Sequence, residues 1–114
     1  MDSIDIDKTL VPYKFDINLS SRIYTFVINY NVLFDFFTAD LLLNGLVVVK
    51  DEKLVLNQFL FRDISEDSDH NLDTNFPSEL LFVGTTDNTI KRISYDNLGD
   101  TVFLYCISRS EVIE

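Results

Sequence analysis

Apolar and polar side chains alternate along most of this chain. Tyr13, Phe15, Ile17 and Leu19 alternate with Lys14, Asp16 and Asn18, the two-residue period of a half-buried strand. Ser20-Ser21-Arg22 reads as a short turn. Tyr24, Phe26, Ile28 and Tyr30 then alternate with Ile23, Thr25 and Val27, so the two runs predict an antiparallel hairpin. Asn29 to Val32 reads as a second turn. Phe34 to Leu43 is assigned to strand over helix, because aromatics and Thr suit a pleated surface. One of its faces carries Phe34, Phe36, Thr38, Asp40 and Leu42, the other Asp35, Phe37, Ala39, Leu41 and Leu43. Asn44-Gly45 is the strongest hairpin signal, since both residues tolerate the positive φ of a type I′ turn.

Leu46 to Val49 is the partner strand, Lys50 to Lys53 a charged turn, and Leu54 to Phe61 a further apolar stretch. Residues 62–75 are polar and acidic and read as a long loop. Leu80 to Val83 is a buried strand ended by Gly84. Thr85 to Asn88 is a turn, Thr89 to Tyr95 short and mixed, and Asn97-Leu98-Gly99-Asp100 a tight turn. Thr101 to Ile107 closes the pattern, with Val102, Leu104 and Cys106 opposite Phe103, Tyr105 and Ile107. The expectation is an all-β domain of about seven strands, a small antiparallel β-sandwich or partly open β-barrel. It divides into an N-terminal arm (1–11), frayed or ordered against a neighbour, a β-domain (12–107) and a C-terminal tail (108–114).

Composition supports one folded domain: 114 residues, 46% hydrophobic, with ten Phe and five Tyr. A chain of this size buries roughly two-thirds of its unfolded surface. Nineteen acids against nine bases leave a net charge of −10. That charge repels phosphate backbones and anionic membranes, so neither nucleic acid nor membrane is an expected partner. It also steers the chain toward basic partners. The single cysteine, Cys106, excludes an intrachain disulfide, and no basic segment followed by an apolar stretch opens the sequence as a signal peptide would.

Catalytic equipment is not evident. Asp67 to Asp73 spaces oxygen side chains as an EF-hand loop does, but Leu72 stands where the loop needs Gly and Ser78 where it needs Glu. His70 is the only histidine and sits in the most polar stretch, without an orienting partner. Cys106 falls in a strand, where a buried thiol is the simpler reading than a nucleophile. No phosphate-cradling Gly-rich loop or nucleophile elbow occurs. The expected cofactor content is none. The competing class is a stand-alone module binding carbohydrate on its aromatics or calcium on its acidic loop.

The chain resembles the phage baseplate plug-type domain, a small β-domain family of tail and baseplate proteins. The resemblance spans Pro12 to Ile107. It rests on Tyr13-Lys14-Phe15-Asp16-Ile17-Asn18-Leu19, on Tyr24-Thr25-Phe26-Val27-Ile28-Asn29-Tyr30, and on the hairpin through Asn44-Gly45 to Leu46-Val47-Val48. It rests further on Phe76-Pro77-Ser78-Glu79-Leu80-Leu81-Phe82-Val83 and on Asp96-Asn97-Leu98-Gly99 before Val102-Phe103-Leu104-Tyr105. It implies a non-enzymatic structural component of a phage tail or related contractile particle, located in the virion baseplate and made in the host cytoplasm. Its implied partners are baseplate, hub or tail-tube proteins, with homo-oligomer formation among the contacts. The interface residues expected from the sequence are Ile4 and Ile6 in the arm, Glu66, Asp67 and Asp69 in the acidic loop, and Val112 and Ile113 in the tail.

Overall fold

The computed structural model describes residues 2–61 and 74–108. Among the described residues there are eight strands: β1 (Asp2–Ile4), β2 (Tyr13–Leu19), β3 (Arg22–Asn31), β4 (Phe36–Leu43), β5 (Leu46–Lys53), β6 (Gln58–Leu60), β7 (Leu80–Thr85) and β8 (Val102–Ile107). They form two four-stranded antiparallel sheets, ordered β2-β3-β4-β5 and β1-β8-β7-β6. The sheets stack face to face and do not close, so the sandwich expectation holds and the barrel alternative does not.

The first sheet is a meander whose register follows the alternation in the sequence. Tyr24, Phe26 and Ile28 of β3 and Phe37, Ala39 and Leu41 of β4 turn inward and are fully buried. Leu81 and Val83 of β7 and Val102 and Leu104 of β8 face them from the second sheet. Aromatic rings fill the space between: Phe26 lies 5.6 Å from Phe15 and 6.3 Å from Phe61, and Phe61 lies 6.1 Å from Phe76. Both tight turns of this sheet use left-handed backbone. Asn44 and Gly45 have φ of 53° and 79°, as a type I′ turn requires; Ser20 and Ser21, at 55° and 60°, do the same without a glycine.

Several elements differ from the sequence expectation. Residues 2–4 form a strand of the second sheet: β1 pairs with β8, Asp2 opposite Cys106 and Ile4 opposite Leu104, and Ile4 belongs to the core at 7% exposure. A 3-10 turn, Lys8–Leu10, follows, capped by Asp7, whose Oδ1 accepts the Thr9 amide at 3.0 Å. β3 continues to Asn31, so the turn comes later, at residues 32–35, and β4 begins only at Phe36. Lys50 to Lys53 is not a turn but the end of β5, bent by register shifts against β4. Asp51 takes φ 60° there, and its amide donates to Oδ1 of the buried Asp40 at 2.7 Å. Charges and bulges on an edge strand block pairing with foreign strands. Only Gln58–Leu60 of the Leu54–Phe61 stretch is strand; Leu54 instead donates its amide to the Phe37 carbonyl at 3.0 Å.

Candidate functional site

The second sheet is apolar on both faces. Its inward residues make the core, yet alternate positions turned outward carry Phe59 on β6, Leu80 and Phe82 on β7, and Phe103, Tyr105 and Ile107 on β8. These side chains are half-buried, and rings pack on rings: Phe59–Phe82 at 5.1 Å and Phe103–Tyr105 at 6.2 Å. Gly84 is part of this arrangement. A Cβ there would come within 2.7 Å of the Phe82 ring and 3.6 Å of the Tyr105 ring, so the missing side chain lets the rings lie flat across the strand. Outward faces of antiparallel sheets are ordinarily polar. A contiguous aromatic face is the kind of surface through which proteins bind one another.

A second apolar surface lies at the β3–β4 turn. Val32, Leu33 and Phe34 are 82%, 82% and 67% exposed, three successive apolar residues at a turn tip. Asp35 fixes them in place. It has φ 56°, and its amide donates to the Asn31 carbonyl at 2.8 Å. Its Oδ1 accepts from the Tyr30 hydroxyl at 2.6 Å and the Tyr95 amide at 2.8 Å, and Oδ2 pairs with Arg92 at 3.1 Å. The Tyr30 hydroxyl, the Tyr95 amide and Arg92 hold the Asp35 carboxyl below its usual range. In return, the hydrogen bond to Asp35 pushes the Tyr30 hydroxyl up to about 12. The tip is therefore rigidly presented rather than loose.

Behind the tip runs a groove of about 250 Å³, lined by Phe34, Phe36, Val55 and Ile93 with Lys53, Lys91 and Arg92. Three of the chain's nine cations meet here, and no carboxylate is among the lining residues. Lys53 Nζ sits 4.8 Å from the Phe36 ring centre, and Lys91 Nζ donates to the Asn88 carbonyl at 3.2 Å. Neither lysine pairs with a carboxylate among the described residues.

Among the described residues no group of three or more His, Cys, Asp or Glu is placed to hold a metal ion, and no helix is long and apolar enough to cross a membrane. What the molecule presents is apolar surface on a rigid frame. A family model described as "Cyanophage baseplate Pam3 plug gp18" matches residues 1–109. The chain belongs to this baseplate plug family. No curated protein matches it. The match covers both sheets and extends through β1, ahead of the Pro12 start of the sequence resemblance.

Of the interface residues expected from the sequence, Ile4 packs in the chain's own core. Ile6 is half-buried against the same core and lines a shallow cleft of about 640 Å³ with Asp5, Asp7, Asp96 and Asp100. Glu66, Asp67, Asp69, Val112 and Ile113, like His70, lie outside the described residues. The aromatic face is not legible in the sequence, because alternation places Phe82, Phe103 and Tyr105 on one side of strands that are apolar on both sides and does not say which side lies outward. The tip is missed by that alternation as well, because Phe34 reads as the start of a strand. The signal was present in Asn31 and Asp35, two turn-forming residues that bracket three apolar ones.

Proposed function

We infer that this protein is a non-catalytic plug subunit of a phage tail baseplate that acts by contact with hub and tube-end neighbours. Family membership supports the particle and the place within it. The observation that carries the contact role is the outward aromatic face of the second sheet, Phe82, Phe103 and Tyr105. Its rings are paid for by no core of this chain, and desolvating them against a neighbour gives the favourable free energy that a structural joint needs. The rigid tip at Val32–Phe34 supplies a second, smaller anchor. The acidic surface favours basic neighbours and sets approach rather than affinity.

The test is recovery of particles. Tagged protein is isolated from lysate of cells making the intact phage, and the eluate is viewed by electron microscopy beside that of a Phe82→Ser/Tyr105→Ser variant. Tail structures or hub proteins with the parent chain, and their loss with the variant, support the reading. A lone monomer that melts higher with calcium or glycans overturns it in favour of a binding module.

A further inference from the structure

We propose that the groove behind the β3–β4 turn receives the acidic segment 110–114 of a second copy of this chain, joining copies head to tail. The proposal rests on the contact reading above and adds a partner to it. Three observations carry it.

The first is the chemistry of the groove. Phe34, Phe36, Val55 and Ile93 give it apolar walls, while Lys53 and Lys91 rim it with charge that no described carboxylate neutralises. On a chain of net charge −10 this is a local reversal of sign, and it selects an acidic occupant with an apolar anchor. The second is the sequence of the segment: Glu111 and Glu114 flank Val112 and Ile113, two carboxylates spaced around two compact apolar side chains.

The third is placement. β8 ends at Ile107, opposite Leu80, close to Ser78, which bonds Ser20 at the turn end of the first sheet. The groove lies at the other end, where Arg92 bonds Asp35 and where β7 finishes at Thr85. Five strand steps separate the two ends of β7, about 17 Å. A segment leaving one end and a receptor at the other make a heterologous contact, in which each copy donates to the next, and such contacts close into rings when the rotation allows. Segment 110–114 lies beyond the residues that the family model matches, so this joint is separate from the family assignment.

The test is sedimentation of the purified full-length chain over a concentration series. The parent chain is expected to associate. Val112→Ser/Ile113→Ser removes the anchor, and Lys53→Glu/Lys91→Glu reverses the rim; each is expected to weaken association about tenfold or more. Thermal unfolding verifies that each variant is folded. Mixing or combining the rim reversal with Glu111→Lys/Glu114→Lys is expected to restore association, which a merely misfolded variant would not do. A monomeric parent chain, or association that survives both sets of substitutions, overturns the proposal. Because a monomer can still join a baseplate through its aromatic face, that failure is distinct from failure of the plug reading.

Discussion

Glu79 holds Ser20 by two atoms at once, its Oε2 accepting the Ser20 amide at 2.8 Å and its Oε1 accepting the Ser20 hydroxyl. The same hydroxyl oxygen accepts the Ser78 amide at 2.8 Å. These bonds tie the β2–β3 turn of the first sheet to the start of β7 in the second, and they satisfy a turn whose two residues both lie in the left-handed region.

Glu79→Gln keeps the shape of that clamp and removes its charge. Hydrogen bonds to charged acceptors contribute more than neutral ones, and partial exposure discounts the difference, so the expected loss is about 1 kcal/mol by urea unfolding. Ser21→Gly acts in the opposite direction. It relieves a left-handed L-residue at some cost in unfolded-chain entropy, for a net gain of about 0.5 kcal/mol in the same experiment.

Stability is expected to fall at both extremes of pH. Burial raises Glu79, but its bonds from Ser20 outweigh that and hold it below its ordinary value of 4.5; Asp35, bonded first by Tyr30, lies below 3.8. Depressed carboxylates stabilise the fold above those ordinary values, and the contribution is lost as pH falls through the lower folded ones. Tyr30 has the opposite sign. Raised to about 12 from 10.0, it stabilises below pH 10.0 and that contribution is lost as pH climbs toward 12. Melting temperature against pH checks this: Asp35→Asn flattens both limbs, and Tyr30→Phe removes the alkaline one and also weakens the acid one, because the Tyr30 hydroxyl is the largest cause of the Asp35 depression.

The legible part of this fold was local. Asn44-Gly45 announced its turn, and the alternation of β2 and β3 groups on one face the residues that the structure packs against the core, while that of β8 separates two faces without saying which lies inward. β1 was illegible because three residues bounded by aspartates carry little pattern, and their partner lies about a hundred residues away. The end of β5 was illegible because Lys50 to Lys53 has turn composition, and only Asp40, from the neighbouring strand, satisfies the bulged amide. The groove was hidden for a related reason. Lys53 and the adjacent pair Lys91-Arg92 come from two separate segments, and nothing in the sequence says that they converge.

Asp40→Ala tests the account of β5 directly. It leaves the Asp51 amide without its 2.7 Å acceptor and is expected to cost about 1–2 kcal/mol. Hydrogen exchange should show the protection lost at residues 50–53 before any other part of the first sheet.

Core and surface aromatics should separate cleanly. Phe26→Ala removes a fully buried ring in contact range of Phe15 and Phe61 and is expected to cost about 3–5 kcal/mol. Phe82→Ser/Tyr105→Ser, on the outward face, should shift the unfolding midpoint far less while abolishing recovery of particles.

The pairing of β1 with β8 also dictates an order of assembly for the chain itself. Every contact within the first sheet joins neighbours along the sequence between residues 13 and 53, with loops of a few residues to close. The second sheet draws its strands from both ends of the described chain, and its closure must bear the loop entropy of nearly the whole length. The meander is thus the natural template, available while the ribosome is still at work. The aromatic docking face does not exist until β8 has been made and inserted between β1 and β7. Under the contact role proposed above, a partner that recognises that face would recognise only chains whose β8 is in place, so the topology would hold back partly synthesised subunits.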